Sequence, residues 1–322
     1  MRDRRVFLRA SGLRVAVCAA LIAAAMPASG EVPEDLRILV VAEGEEDASL
    51  LRELKLLGIN AIVGSGGPKL ATALAAEEAG LSYLAFLSSR DVDRLDSDED
   101  YFAQISAIAA VPSFAGFHYL DDGVEEGFTA PQIQGRAYAT LKRLFPGKLV
   151  LYPLRLDLAS DPSWLDDYFR PEFTDLVVPY FYPVGRTTLG VYSYGDDWDA
   201  ILSRLLAGLR DRMPFGKGVL PVLQGFQQEG FAVQEEGFPQ RQMDVYEAFW
   251  PGERNVAAFA WFDVVANPIP LSGMASSPAL QSGFHRLFES LSADDRPVPG
   301  DGGKGPPAVV TLKSFCGAAG AP

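Results

Sequence analysis

Eight short runs of β-branched and apolar residues alternate with longer amphipathic runs, and this alternation restricts the fold more than any other feature. Strands that alternate with helical segments pair in parallel, because each helix carries the chain back to the starting edge of the sheet. The runs are Arg37–Ala42, Ala61–Val63, Tyr83–Leu87, Phe114–Leu120, Leu149–Leu154, Leu176–Tyr182, Val219–Leu223 and Val256–Phe262. Helical patterns fall at Glu46–Leu57, Pro68–Ala79, Asp98–Ala109, Ala130–Leu144, Pro162–Arg170, Trp198–Arg212, Gln240–Phe249 and Pro278–Leu291. In the first, Leu50, Leu51, Leu54 and Leu57 form one face and Gly58 stops the helix. Eight such units predict a single (β/α)₈ barrel of class α/β over residues 31–292. A doubly wound dinucleotide fold would need a glycine fingerprint after its first strand, where this chain has Ala42-Glu43-Gly44-Glu45. Gly64-Ser65-Gly66-Gly67 lacks the remaining P-loop and Rossmann positions.

Both flanks differ in composition from this body. Residues 1–30 begin with Arg2, Arg4, Arg5, Arg9 and Arg14, continue through apolar Val15–Met26 and end in Pro27-Ala28-Ser29-Gly30. A basic start, a short apolar middle and a small-residue end predict a cleaved export signal and a periplasmic or secreted protein, without a stable membrane anchor. Asp3-Arg4-Arg5-Val6-Phe7-Leu8-Arg9 resembles a twin-arginine signal, with Asp where Ser or Thr is usual. Residues 293–322 read as a Gly/Pro-rich tail.

Without residues 1–30 the chain has 23 basic and 41 acidic side chains, a formal charge of −18. Such a surface repels phosphate backbones and argues against nucleic acid as a partner. Cys316 would then be the one cysteine left, so no intrachain disulfide forms. With only His118 and His285, no three-histidine zinc site can be built, and no metal or organic cofactor is implied. No Gly-x-Ser-x-Gly elbow is present.

A (β/α)₈ barrel works at the carboxyl ends of its strands. The residues expected there are Glu43, Ser65, the run Ser88-Ser89-Arg90-Asp91, Asp121 and Asp122, Tyr152 with Asp157, Tyr180 and Tyr182, Gln224, Trp261 and Asp263. Carboxylates, aromatic faces and amides are the groups a sugar site requires. The acids protonate a glycosidic oxygen, the rings cover the C–H faces of a pyranose, and the polar groups bond its hydroxyls. Asp121-Asp122 is the sharpest pair, since two adjacent carboxyls in a buried site push one pKa upward and give one acid and one ionised partner. The segment Gly225–Pro239 reads as a long loop over the same face.

Gly116-Phe-His-Tyr-Leu-Asp-Asp122 resembles the fourth strand of barrel glycoside hydrolases, and its acid pair is similar to that of substrate-assisted hexosaminidases of the O-GlcNAcase type. The resemblance implies that Asp121 polarises a 2-acetamido group and that Asp122 is the general acid/base. It also implies that Tyr180, Tyr182 and Trp261 contact the sugar, by likeness of Val178–Tyr182 and Ala258–Trp261 to later strands of those enzymes. The chain departs from other barrel glycosidases. It lacks the chitinase Asp-x-x-Asp-x-Asp-x-Glu pattern and an Asn-Glu pair on strand four, and Gln224 stands where a strand-seven glutamate would act as nucleophile. A two-carboxylate mechanism would take its second acid from Glu43, Asp157 or Asp263. Leu120-Asp121-Asp122-Gly123 also resembles polysaccharide deacetylases, but their His-x-x-x-His pair is missing.

The sequence thus predicts an exported, metal-independent glycoside hydrolase acting on a glycan, with Asp121 and Asp122 catalytic. Glu43, Arg90, Tyr152, Gln224 and Asp263 are expected to orient the sugar, and His118 to be a core or supporting residue. The alternative is a non-catalytic carbohydrate-binding barrel serving exopolysaccharide or envelope assembly.

Overall fold

The structure, a computed structural model, describes residues 35–40, 47–64, 66–119, 131–156, 161–187, 190–193, 197–228, 235–263 and 271–292. Outside these lie the expected signal, the tail, Glu43, Ser65, Asp121, Asp122 and Asp157. Eight parallel strands close a barrel. They are β1 (Arg37–Val40), β2 (Ala61–Val63), β3 (Ser82–Leu87), β4 (Phe114–Tyr119), β5 (Leu149–Arg155), β6 (Val177–Tyr180), β9 (Val222–Gln224) and β11 (Val256–Phe259). The ring closes where β1 pairs with β11, from Arg37 against Val256 to Val40 against Phe259. Each expected strand is present, and the chain is a single (β/α)₈ barrel.

Helices α1 (Ala48–Leu56), α2 (Leu70–Ala79), α3 (Ser89–Ser97), α4 (Glu99–Ala109), α5 (Pro131–Leu144), α6 (Leu165–Tyr168), α7 (Trp198–Arg210), α8 (Phe238–Glu247) and α9 (Pro278–Ser292) connect the strands. Local chemistry sets their ends. Asp47 caps α1 by accepting the Leu50 N–H at 2.8 Å, and Gly58 follows its last turn with φ +92°. A side chain there would also be strained by space, since a Cβ on Gly58 would lie 2.8 Å from that of Phe288.

Because strand side chains alternate, the barrel has two apolar layers. Ile38, Val63, Leu84, Leu151, Val178, Val222 and Ala257 fill the interior. Their neighbours Leu39, Ile62, Ala85, Val150, Val177, Leu223 and Ala258 face the helices, where Leu51, Ala76, Leu205 and Phe288 meet them. Each fully buried aliphatic side chain contributes about 1.5–3 kcal/mol, so both faces of every strand help to hold the ring shut.

At the amino ends of the strands, buried or partly buried side chains take the place of missing ladder bonds. Asn255 Oδ1 accepts the Leu36 N–H at 2.9 Å, and Asn60 Oδ1 accepts the Arg37 N–H at 2.8 Å. Asp175 accepts from Val150 N–H at 2.8 Å, Lys142 Nζ at 2.7 Å and the Tyr138 hydroxyl at 2.9 Å. Burial, with the Asp175 charge beside it, pushes the Tyr138 phenol up to about 12.

Three local expectations are corrected, and one stretch without an expectation takes form as a hairpin. The run Ser88–Asp91 is not an open rim: Ser88 and Asp91 form a capping box that starts α3, with Ser88 N–H donating to Asp91 Oδ2 at 2.9 Å. The seventh barrel strand begins at Val222 rather than Val219. Pro221 has no N–H for the ladder, which leaves Val219 as an isolated bridge to Val177. Residues after Tyr182 form a hairpin, β7 (Val184–Thr187) with β8 (Gly190–Ser193). Within the expected loop, β10 (Gln227–Gln228) pairs antiparallel with β12 (Leu271–Ser272).

Gly116 marks the tightest approach in the wall. A Cβ there would stand 2.2 Å from the carbonyl oxygen of Leu149 and 2.6 Å from its nitrogen, both backbone atoms of the neighbouring strand. Gly116→Ala is expected to destabilise the fold by about 1–3 kcal/mol through forced separation of β4 and β5. Chemical denaturation checks this, and an unchanged midpoint would refute it.

Candidate functional site at the carboxyl end of the barrel

The inward residues of the carboxyl half do not fill it. A cavity of about 210 Å³ remains, lined among the described residues by Ile38, Val63, Phe86, His118, Pro153, Val178, Tyr180, Tyr182, Leu220, Val222, Ala257 and Phe259. Strand parity explains this set, because Phe86, His118, Tyr180 and Phe259 follow the interior residues by two along their strands.

One wall is aromatic. The Tyr182 ring lies 5.3 Å from that of Tyr180, 5.9 Å from Phe259 at an interplanar angle of 24°, and 5.0 Å edge-on from Phe226. Diametrically across the ring of strands from Phe259, β4 presents His118, stacked on Phe86 at 6.2 Å and 23°. Burial pulls the His118 pKa down to about 4, because an imidazolium would lose its hydration there. At neutral pH the ring is therefore uncharged.

Gln224 is fully buried at the end of β9. Its Oε1 accepts the Val184 N–H at 3.1 Å, and its Nε2 donates to the carbonyls of Val184 and, at 3.3 Å, of Phe226. Its backbone N–H donates to Gln242 Oε1 at 3.0 Å. The amide thus ties the start of the β7–β8 hairpin to the barrel, so that Tyr182, two residues earlier, is held on the cavity wall.

The structure brings Tyr180 and Tyr182 together and leaves other expected contacts apart. Arg90 is exposed in the first turn of α3. Tyr152 faces out of the barrel wall, its ring 5.9 Å from Tyr119. Trp261 is buried with the outer core rather than on the cavity. Asp263 is exposed and accepts from Gly273 N–H at 2.8 Å and Ser276 Oγ at 2.9 Å, which fastens the chain on its return to α9. Phe226, in the segment expected to lie over this face, packs edge-on against Tyr182, whereas Phe259 was not expected on the wall. The signal for Phe259 was its place two residues beyond inward Ala257 on a strand read correctly. Among the described residues, no three His, Cys, Asp or Glu side chains gather as a metal site, and no helix is long and apolar enough to cross a membrane.

A scan against protein-family models finds no match, and a search of curated proteins finds none. Solved structures match by shape. The β-D-glucuronidase of Dictyoglomus thermophilum is 14% identical over 83% of this chain, with a TM-score of 0.54. A β-galacturonidase of Eisenbergiella tayi is 14% identical over 79%, with a TM-score of 0.50. A calcium-binding mutant of Bacteroides uniformis β-glucuronidase 2 is 12% identical over 83%, with a TM-score of 0.51. The chain spans 52%, 51% and 35% of those chains, about half their length or less. At such identities the likeness is one of fold, and the fold is the (β/α)₈ barrel.

Gln224→Glu tests whether this position is structural. A carboxylate cannot donate, and it would face the Val184 and Phe226 carbonyls with both donors gone. The expected result is a loss of about 2–4 kcal/mol in unfolding free energy. Stability equal to the wild type would show that the amide bonds do not anchor the hairpin.

Proposed function

We propose that this chain is a glycoside hydrolase that acts on a glycan with Asp122 as general acid/base and Asp121 as its partner. The observation that carries the reading is where β4 ends. Its last residue is Tyr119, at the carboxyl end of the barrel, and Asp121 and Asp122 follow in the sequence. β4 itself borders, through His118, a cavity whose far wall is aromatic. Barrels of this type concentrate their chemistry at that end, and rings paired with strand-end acids match the apolar faces and the glycosidic oxygen of a sugar. Support also comes from the names of the neighbours in fold, which act on β-glucuronides and galacturonides. By the resemblance of the strand-four motif to substrate-assisted hexosaminidases, the preferred substrate carries a 2-acetamido group, which Asp121 polarises. Tyr182 would present its face to the ring of that sugar.

The same reading has the protein exported. Arg4-Arg5 and the apolar run to Met26 support passage out of the cytoplasm, where an extracellular or periplasmic glycan would be met.

A second reading has its own observation. None of the described residues lining the cavity is a carboxylate, and the strand-seven position holds Gln224, whose amide is engaged by backbone. This favours a barrel that binds carbohydrate without cleaving it.

Hydrolysis of a panel of aryl glycosides, with and without a 2-acetamido group, separates the two. The wild type is expected to release the aryl alcohol. Asp122→Asn is expected to lower the rate by about 10²–10⁴-fold while oligosaccharide binding, measured by calorimetry, persists. Binding without hydrolysis in the wild type would establish the second reading. Full activity in Asp122→Asn would remove that residue from the mechanism.

A further inference from the structure

We propose that the sugar bound at the mouth of the barrel carries a carboxylate and that Arg155, the inward arginine at the end of β5, recognises it. On the carbohydrate reading of this site, on which this inference rests, the substrate class becomes a 2-acetamido sugar of the uronic acid type.

Strand parity sets Arg155 on the inside. Along β5, Leu149 and Leu151 belong to the interior and Pro153 lines the cavity, while Val150 and Leu154 belong to the outer core. Arg155 is the next inward position and the last residue of the strand. The ladder agrees. Arg155 pairs in register with Tyr180 of β6, a cavity residue, and the Leu156 N–H donates to the Tyr180 carbonyl at 2.9 Å. Neighbouring strands lie about 4.8 Å apart, and paired residues of parallel strands point to the same face. The half-buried Arg155 side chain therefore leaves the wall beside Tyr180, one inward step beyond Pro153 toward the mouth.

Charge makes this position unusual. The eight barrel strands, as described, hold two permanently charged side chains, Arg37 and Arg155. Arg37 lies at the amino end and pairs in register with Val256 of the outer core, so it faces out. Among the described strand residues, Arg155 is then the one charge turned inward, and it stands at the working end. Other arginines, such as Arg52, Arg94, Arg143 and Arg212, pair with acids on the outside of the barrel. A guanidinium stays charged at any pH where proteins fold, and a half-buried charge is unfavourable unless an anion meets it. Arg155 already has an interaction within the protein, and its five N–H donors exceed what one acceptor takes. A carboxylate accepts two parallel N–H bonds from such a fork, which a sugar hydroxyl cannot match. His118, the other basic side chain on the inner face, is uncharged at neutral pH, so Arg155 supplies the attraction for an anion.

The probes are the methyl β-glycosides of 2-acetamido glucuronic acid and 2-acetamido galacturonic acid. Each is compared with its uncharged carboxamide, which has nearly the same shape. Titration calorimetry on the full chain reads binding and requires no cleavage. The wild type is expected to bind at least one acid about tenfold or more tightly than its amide, as a charge-assisted pair provides. Arg155→Gln is expected to bring acid and amide to within about twofold of each other. Arg155→Lys, which keeps the charge and loses the fork, is expected to fall between. An arginine with only a structural role would weaken acid and amide alike and leave their ratio unchanged. Equal binding of acid and amide by the wild type, a preference that survives in Arg155→Gln, or binding of neither probe would each overturn the inference. Equal binding leaves the carbohydrate reading in place, since neutral glycosides can still be bound and hydrolysed. Binding of neither probe together with no hydrolysis of any aryl glycoside removes that reading too. The wild type and the lysine variant decide even if the glutamine variant fails to fold.

Discussion

The pairing of β1 with β11 is the constraint on which the rest of the molecule depends. It joins residues about 219 positions apart, with the Leu36 N–H held by Asn255 at the amino end and Val40 set against Phe259 at the carboxyl end. Until this seam forms, two strands have open edges and the interior is exposed to water. Once it forms, every strand has two neighbours and the eight carboxyl ends are directed to one mouth. Loop closure over such a separation is entropically costly, so the seam must be supported by both apolar layers and by the side chains that tie the strands at their amino ends.

The two ends of the barrel have different chemistry as a result. At the amino end, polar side chains such as Asn60, Asp175 and Asn255 are hydrogen-bonded to backbone, as buried polar groups must be. At the carboxyl end the interior widens into a cavity, and His118 keeps an unpartnered nitrogen. The first arrangement stabilises the ring of strands, and the second leaves room between the aromatic wall and His118. Gln224 connects the two roles: an amide in a catalytic position by sequence acts instead as a clamp that sets the hairpin after Tyr182.

Much of this was legible in the sequence because it depends on period. A strand buried on both faces reads as an apolar run, and a helix on its outside reads as a stripe, so the eight units and the barrel could be derived without tertiary information. Tyr180 and Tyr182 were legible from their place at the end of the sixth apolar run, and the structure sets both on the cavity wall. What period does not encode was missed. Ser88 and Asp91 look like rim polar groups until the capping box is recognised. Arg90 then falls on a helix exterior, and Tyr152 falls on the outer face because Leu151 and Pro153 take the inner one. The short β10–β12 pairing and the amide clamp depend on partners tens of residues away, which no local pattern announces. Asp121, Asp122 and Glu43 lie outside the described residues.

The central claim is that the acids after β4 and the aromatic wall around Tyr182 act on one sugar. A crystal structure of the Asp122→Asn protein with a bound 2-acetamido glycoside tests it most directly. The account predicts the sugar ring over the Tyr182 face, its glycosidic oxygen within about 3.2 Å of the residue-122 amide and its acetamido group on Asp121. A sugar bound elsewhere, or carboxyl positions turned away from Tyr182, would contradict it.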